Sequence, residues 1–174
     1  MTGGDLAEAR TALDAGAPWR ARALTRDDAA AAAAAALIRE AFAAQPVATD
    51  PPSSALRETA ENVAASLDEG GGAALEAEGA LIGALLWTER EGGLFLRRLA
   101  VRPRWRGRGA AHVLLAAAEA EARRRGLARL RLNVRLVLEE NRRLFAALGF
   151  AATKEAAHPS YARPTFAVME KRLG

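Results

Sequence analysis

The chain of 174 residues contains no cysteine. This absence excludes a disulfide framework, a thiolate nucleophile and a metal site built on cysteine. Histidine and tyrosine are scarce as well, since the sequence holds only His112, His158 and the single tyrosine Tyr161. Neither histidine has a second histidine or a carboxylate at the spacing of metal ligands. We therefore predict that the protein uses no metal ion.

Long apolar runs are also missing from the sequence. No stretch approaches the roughly 20 apolar residues that span a bilayer, and the N-terminus lacks the basic-then-apolar pattern of a secretory signal. We expect a cytoplasmic protein without a membrane partner. A hydrophobic content of 51% is enough to build a core, so residues 18–174 are expected to form one domain. The glycine-containing residues 1–17 are expected to form a flexible arm.

Lysine is rare, and this leaves arginine to carry the positive charge. Only Lys154 and Lys171 are lysines among 25 basic residues, and the net charge is +4. Arginine suits phosphate groups because its planar fork of donors matches their oxygens. High arginine and alanine usage also follows from a GC-rich genome, and we give this explanation more weight for most of the arginines.

The most informative segment joins an apolar strand at 94–101, a basic turn and a helix that runs to Arg125. Within the turn, Arg104, Gly107 and Gly109 form an R-x-x-G-x-G pattern that Ala110 follows. Glycine leaves room for a phosphate and adopts dihedral angles that other residues avoid, so successive N–H groups can converge on an anion. The helix directs its unpaired first amides to the same place. The segment therefore predicts a diphosphate-binding site.

Two better-known phosphate motifs do not fit this segment. A dinucleotide fold needs G-x-G-x-x-G and an acidic residue after the next strand, but the sequence has His112 at the third glycine position and Asn133 after the strand. A P-loop needs lysine followed by serine or threonine, and Arg108 and Gly109 stand there instead. A turn that only exposes arginines remains the alternative.

The rest of the chain alternates between strand and helix patterns. On the helix that follows the glycine turn, we expect Glu119, Glu121 and Arg123 to face solvent. The expected elements, in chain order, are a strand at 19–24, a helix from the Asp27 cap to 44, a proline-rich loop at 45–54, a helix from 53 or 54 to 67 that the glycines 70–72 end, strands at 73–78 and 81–88, the strand, turn and helix described above, a strand at 127–134 parallel to 94–101, a helix at 138–148 and a hairpin of 150–157 and 165–173.

Residues Leu99-Ala100-Val101, Arg102-Pro103 and Arg104-x-x-Gly107-x-Gly109-Ala110 resemble motif A of the GNAT superfamily of N-acetyltransferases, which bind acetyl-coenzyme A. The resemblance continues through residues 130–134 and through Leu144-Phe145 to Gly149-Phe150, and it covers about residues 19–173. It implies an α/β (α+β) fold with a mixed, mostly antiparallel central sheet of six to seven strands and about four flanking helices. It also implies that the sheet splays apart between its fourth and fifth strands, within a single acetyltransferase-like domain over 18–174.

The resemblance also implies which residues bind the acetyl-coenzyme A co-substrate. In relatives the splayed strand frees backbone amides that polarise the thioester carbonyl, and an asparagine contacts the pantetheine arm. The asparagine position is Leu138 here, so we consider Asn141, one helical turn later, as its replacement. The residues expected to bind the co-substrate are Leu99, Ala100, Val101, Arg104, Arg106, Gly107, Arg108, Gly109, Ala110, Asn141 and Phe145.

The acid and base are less clear, because this sequence departs from the family there. Relatives often protonate the departing thiolate with a tyrosine, but Phe145 occupies that position and has no proton to give. Tyr161 is the candidate acid, with a packing role as its alternative. Glu89 and Glu91 are the nearest candidate bases in sequence, with solvated turn charges as their alternative.

The implied activity is transfer of an acetyl group to a primary amine by direct attack on the thioester. The acceptor would be a small-molecule amine or a protein amino group, to which Arg97 or Arg98 could add affinity for a carboxylate. The alternative is a non-catalytic module of the same fold that binds coenzyme A, or an acidic or nucleic-acid partner, through the arginine turn. We expect no nucleic-acid partner, and a monomer or homodimer.

Overall fold

A computed structural model describes residues 18–174, and the arm predicted at 1–17 lies outside the described residues. The centre of the fold is a seven-stranded sheet in the order β1-β2-β3-β4-β5-β7-β6. All neighbouring strands are antiparallel except β4 and β5, which are parallel. The strands are β1 (Arg20–Ala23), β2 (Gly70–Ala77), β3 (Ala80–Arg90), β4 (Gly93–Val101), β5 (Arg129–Arg135), β6 (Ala151–Ala156) and β7 (Phe166–Arg172).

Helices cover the two faces of this sheet and create two apolar cores. Leu37, Ile38 and Val63 pack with Leu86 on one face, whereas Leu114 belongs to the core of the other face. The helices are α1 (Asp28–Ala43), α2 (Ala60–Glu69), α3 (Ala110–Arg124) and α4 (Glu139–Ala147). The predicted fold class, with a mostly antiparallel mixed sheet and four helices, is therefore confirmed.

The alanine-rich segment forms an ordered helix, as its cap and apolar stripe predicted. The Asp27 side chain accepts a hydrogen bond from the backbone N–H of Ala30 at 2.9 Å, which satisfies one of the unpaired amides at the start of α1. Six residues of the helix are buried, including Leu37 and Ile38 at 0% exposure. Small alanine side chains let this helix lie close to the sheet.

The prediction of one continuous helix from 53 or 54 to 67 is wrong. A short 3-10 helix, Ser54–Arg57, comes first, and α2 begins only at Ala60. Between them Glu58 and Thr59 are extended, and the Thr59 side chain accepts from the backbone N–H of Asn62 at 3.2 Å. Threonine thereby restarts the helix with a cap, since its hydroxyl competes with continuous helical bonding.

The glycines 70–72 were predicted to end that helix, and Gly70 does cap its C-terminus, where its backbone N–H donates to the Ser66 carbonyl. The three glycines are also the first residues of β2. They pair with β3, where Gly70 lies opposite Thr88. A Cβ atom on Gly70 would lie 2.0 Å from the Trp87 carbonyl oxygen, so only glycine allows this approach of the two strands. The glycines therefore both end the helix and allow the two strands to pack closely.

Glu121 was predicted to face solvent from α3, but it is buried at 4% exposure. Its carboxylate accepts hydrogen bonds from Arg124 Nε at 2.8 Å and Arg125 Nε at 2.7 Å. These hydrogen bonds, first that from Arg124, lower the pKa of Glu121 despite its burial. The arginines at the end of α3 thus hold a buried charge.

The parallel pair β4 and β5 separates after three residues. The pairing joins Leu94–Leu96 to Leu130–Leu132 and goes no further. At the same place β4 contains an irregularity in its pairing with β3, and Arg98 adopts a φ of 59°. The Arg98 guanidinium forms an ion pair with Glu58, whose side chain is 1% exposed. This buried pair joins the start of α2 to the separated part of β4.

We expect Glu58→Ala to lower the free energy of unfolding by about 3 kcal/mol, because it leaves the Arg98 charge desolvated without its partner. Asp68→Ala is the matched control, since Asp68 pairs with Arg26 at 2.5 Å while both side chains are half exposed or more. Its loss should cost no more than about 1 kcal/mol. Urea denaturation of both variants tests this, and equal costs would contradict the structural role of the buried pair.

Candidate active site

The separation of β4 from β5 opens a cavity of about 1220 Å³. Its lining includes Leu96 and Leu132, the last paired residues of the two strands, together with residues from both faces of the sheet. The cavity extends from the start of α3, on one face, to Phe42 at the end of α1, on the other. It is larger than the roughly 300–1,000 Å³ of a typical small-ligand pocket, so it can hold two reactants at once.

The glycine turn lies at the first of these two ends. Gly107 and Gly109 line the cavity with φ values of 70° and 90°, and no atom lies within 4 Å of a Cβ built on either residue. The first backbone hydrogen bond of α3 joins Val113 N–H to Gly109 O at 3.2 Å. The amides before Val113 therefore have no partner within the helix and are directed at the turn. Open space, free amides and a helix N-terminus meet here.

Arg106 lines the cavity but makes its hydrogen bonds inside the protein. Its guanidinium donates to three backbone carbonyls, those of Val101 at 3.1 Å, Ala41 at 2.7 Å and Ala44 at 3.5 Å. The side chain thereby ties the end of β4 to the last turn of α1. Arg106 holds the turn in position next to the cavity.

The structure does not bring Arg104 and Arg108 into the cavity lining. Both guanidinium groups lie over the ring of Trp105, at 5.4 Å and 5.1 Å from its centroid. Arg104 also pairs with Glu78 at 3.3 Å. Trp105 is 5% exposed, so it fixes the turn while the two arginines stay at the surface of the protein.

The opposite wall of the cavity comes from α4. Asn141 and Phe145 line it, and so does Leu138. Phe145 is 8% exposed and packs edge to face on Phe150, with 5.8 Å between the ring centroids. The backbone stretch Leu99, Ala100 and Val101 lines the cavity where β4 has left β5. Nine of the eleven predicted co-substrate residues therefore line one cavity, and only Arg104 and Arg108 do not.

The predicted acid and base candidates do not line the cavity. Glu89 lies 3.8 Å from Arg125, and Glu91 pairs with Arg131, both beyond the paired end of β4 and β5. The Tyr161 hydroxyl donates to Asp50, and this hydrogen bond raises the pKa of Tyr161. Ion pairs and this hydrogen bond thus occupy all three groups away from the cavity.

His158 and Arg135 line the cavity and were missed as candidates. The His158 ring packs on Phe166 at 5.0 Å between centroids, and its Nδ1 lies 2.5 Å from Thr165 Oγ1. Burial, and then the charge of Arg135, lowers the pKa of His158. No local sequence pattern marks His158, which lies in the proline-containing loop between β6 and β7. Only the pairing of β7 with β5 brings this loop to the site.

Two further observations concern metal sites and membrane spans in the described part of the chain. Across residues 18–174, no group of three or more histidine, aspartate or glutamate side chains is placed to hold a metal ion. No helix in the same range is long and apolar enough to cross a membrane.

Comparison with known proteins gives a family and a set of folds. The family model described as "Acetyltransferase (GNAT) family" matches residues 32–150. Among curated proteins, no significant match to the chain is found. The family model covers more than half of the chain, including the glycine turn, the separated strands and α4.

Solved structures with the same fold agree with this match. PaiA N-acetyltransferase of Thermoplasma acidophilum, solved with coenzyme A, is 19% identical over 89% of this chain and 99% of its own, with a TM-score of 0.72. The ribosomal-protein-S18-alanine N-acetyltransferase of Escherichia coli is 19% identical over 88% and 93%, with a TM-score of 0.68. YncA of Salmonella typhimurium, solved with acetyl-CoA, is 20% identical over 91% and 95%, with a TM-score of 0.67. The chain therefore belongs to the GNAT family of acetyltransferases.

Proposed function

We propose that the protein transfers an acetyl group from acetyl-CoA to a primary amine. The observation that carries this proposal is the cavity that passes through the sheet between β4 and β5. An acyl carrier entering beside α3 would meet an acceptor entering from the other face at the separated strands. Proximity of this kind can supply about 7–11 kcal/mol of the reaction barrier. The acceptor would be a small amine or a protein amino group, bound by a cytoplasmic monomer or homodimer.

The diphosphate of coenzyme A fits the glycine turn. The space over Gly107 and Gly109 admits an anion, and the free amides that begin at Ala110 can donate to it. In this proposal Arg106 holds the turn, while Arg104 and Arg108 add positive potential at its exposed side.

The thioester would lie where β4 has lost its parallel neighbour. Acetyl-CoA supplies an activated acyl group, and backbone N–H groups of Leu99, Ala100 and Val101 would polarise its carbonyl. Asn141 would donate to the pantetheine arm, and the ring of Phe145 would pack on it. These side chains bind and orient, so none of them needs to carry a proton.

Attack by the amine nitrogen forms the C–N bond and breaks the C–S bond. The ammonium loses one proton before it attacks, the same nitrogen loses a second proton as the amide forms, and the departing thiolate gains one. We propose His158 as the group that accepts the ammonium proton, since it lines the cavity with a lowered pKa. If Nδ1–H donates to Thr165 Oγ1, Nε2 holds the free lone pair. Glu89, Glu91 and Tyr161 would act only at a distance, and water would protonate the thiolate.

The direct test is thiol release from acetyl-CoA in the presence of a panel of primary amines. The chain contains no cysteine, so every thiol detected by a chromogenic disulfide comes from coenzyme A. We expect amine-dependent thiol release together with an acetylated product in mass spectrometry. Tight coenzyme A binding without turnover of any amine would instead support a non-catalytic module of the same fold.

Gly107→Glu should weaken coenzyme A binding at least about tenfold, because its carboxylate would lie against the diphosphate. Gly107→Gln is the neutral control of the same size. Gly126→Glu controls for backbone strain, since Gly126 has a φ of 71°, nothing within 4 Å of its Cβ position and no place in the cavity lining. Calorimetry that gives Gly107→Glu the affinity of Gly126→Glu would contradict the proposed anchor.

His158→Gln should lower kcat by about 100-fold, because a positioned base contributes roughly 10²–10⁴. The lowered pKa of His158 means that its neutral form persists below pH 6.5, so the kcat of the unmodified protein should fall only under that pH. The variant should lose this acidic limb. His112→Gln, which removes the only other histidine, should keep it, and an unchanged limb in His158→Gln would exclude the histidine as base.

A further inference from the structure

Two arginines lie on the same face of the sheet, one on each side of the gap. Leu94 and Leu96 of β4 and Leu130 to Val134 of β5 alternate into the core under α3. Because strand side chains alternate, Arg97 and Arg135 are directed to the opposite face. Leu96 lies opposite Leu132, so Arg135 is two residues, or about 7 Å, further along its strand than Arg97. Both residues line the cavity.

Several other arginines on this face have carboxylate partners. Arg129 and Arg131 lie 3.7 Å and 3.6 Å from Glu170, and Arg131 also pairs with Glu91. Arg98 pairs with Glu58. These three cations are thus already neutralised.

Arg97 and Arg135 differ from these arginines. Neither forms a hydrogen bond or an ion pair with any residue in the described range 18–174, and Arg135 Nη1 is buried without a hydrogen-bond partner. Burial lowers the pKa of both guanidinium groups, although Asp50 opposes this effect for Arg135 and Glu58 does so for Arg97. Leaving such donors unpaired costs free energy, which an anion bound between them would recover.

Apolar rings surround the two charges. Phe95 precedes Arg97 by two residues and so shares its face of β4, and Phe166 pairs with Arg135 across β5 and β7. Both rings line the cavity, and so does Phe42 from the end of α1. An acceptor in this part of the cavity would meet two cations and three phenylalanine rings.

The position of these groups also fits the reaction. Arg97 precedes Leu99 by two residues, so its side chain starts about 7 Å from the proposed thioester site. A ligand that carries an amine and a carboxylate a few bonds apart can reach both. This reasoning rests on the proposed function.

We propose that the acceptor is a free amino acid with an apolar side chain, whose carboxylate binds between Arg97 and Arg135 while its side chain packs on the phenylalanine rings. The α-amine then attacks the thioester carbonyl carbon. The C–N bond forms and the C–S bond breaks. One ammonium proton passes to His158 before the attack, and the second proton that the nitrogen loses passes through water to the thiolate.

The test compares three primary amines that carry the same isobutyl side chain: leucine, leucinamide and 3-methylbutylamine. Leucinamide lacks the carboxylate charge and has the less basic amine, so unassisted reaction would favour it over leucine. We expect kcat/KM for leucine to exceed that for either neutral-tail amine by about 10- to 100-fold, the contribution of a charged hydrogen-bonded pair.

Arg97→Gln and Arg135→Gln should each raise KM for leucine about 10- to 100-fold while leaving KM for leucinamide and for acetyl-CoA unchanged. Arg123→Gln, an exposed arginine near the far end of α3, is the matched control for losing one charge and should change neither. The selective loss for leucine distinguishes carboxylate binding from a general effect on the fold.

Three outcomes would overturn the inference. Leucinamide as the better acceptor would point to a peptide N-terminus, while the proposed acetyltransferase activity would stand. Equal losses for leucine and leucinamide would give the two arginines a structural role, and a raised KM for acetyl-CoA would assign them to coenzyme A. Failure of all amines to release thiol would instead count against the proposed function itself.

Discussion

The site depends on the loss of hydrogen bonding between β4 and β5 after three residue pairs. Parallel strands normally continue together because each unpaired amide or carbonyl costs free energy when buried. Here the irregularity at Arg98 and its buried ion pair with Glu58 direct β4 away from β5. The Arg106 guanidinium donates a hydrogen bond to the Val101 carbonyl at the end of the strand. The fold therefore tolerates an open gap in the middle of its sheet, and the cavity is the consequence.

Arginine has different functions in different parts of this chain. At the end of α3, arginine neutralises the buried Glu121. At the glycine turn, Arg106 donates hydrogen bonds to backbone carbonyls and Arg108 packs on the ring of Trp105. Along the sheet face several arginines have carboxylate partners, whereas Arg97 and Arg135 have none within residues 18–174 and line the cavity. Composition alone could not separate these functions, because the same side chain serves each of them through partners distant in sequence.

The sequence predicted what local rules determine. The glycine turn, the strands on either side of it and the parallel crossover follow from short-range patterns. These patterns were enough to predict the fold class and most of the residues that line one wall of the cavity near the turn. The sequence alone could not predict that Glu58 and Thr59 interrupt a helix. Glu58 is directed inward because it pairs with Arg98, which lies 40 residues further along the chain. His158 and Arg135 were missed for the same reason: strand pairing brings them to the cavity, and no spacing in the sequence records that pairing.

Phe145 in place of the proton-donating tyrosine is compatible with acetyl transfer. A thiol such as cysteine has a pKa of about 8.5, so a departing thiolate is a tolerable product near neutral pH and water can protonate it. An α-ammonium group is different, because it cannot attack until it has lost a proton. The chemistry therefore needs a base more than an acid, and the cavity offers a partly buried histidine with a lowered pKa while its aromatic wall at Phe145 only packs. The charge of Arg135 supports this proposal, because it helps to keep the His158 imidazole neutral. The neutral imidazole would then deprotonate the amine beside it.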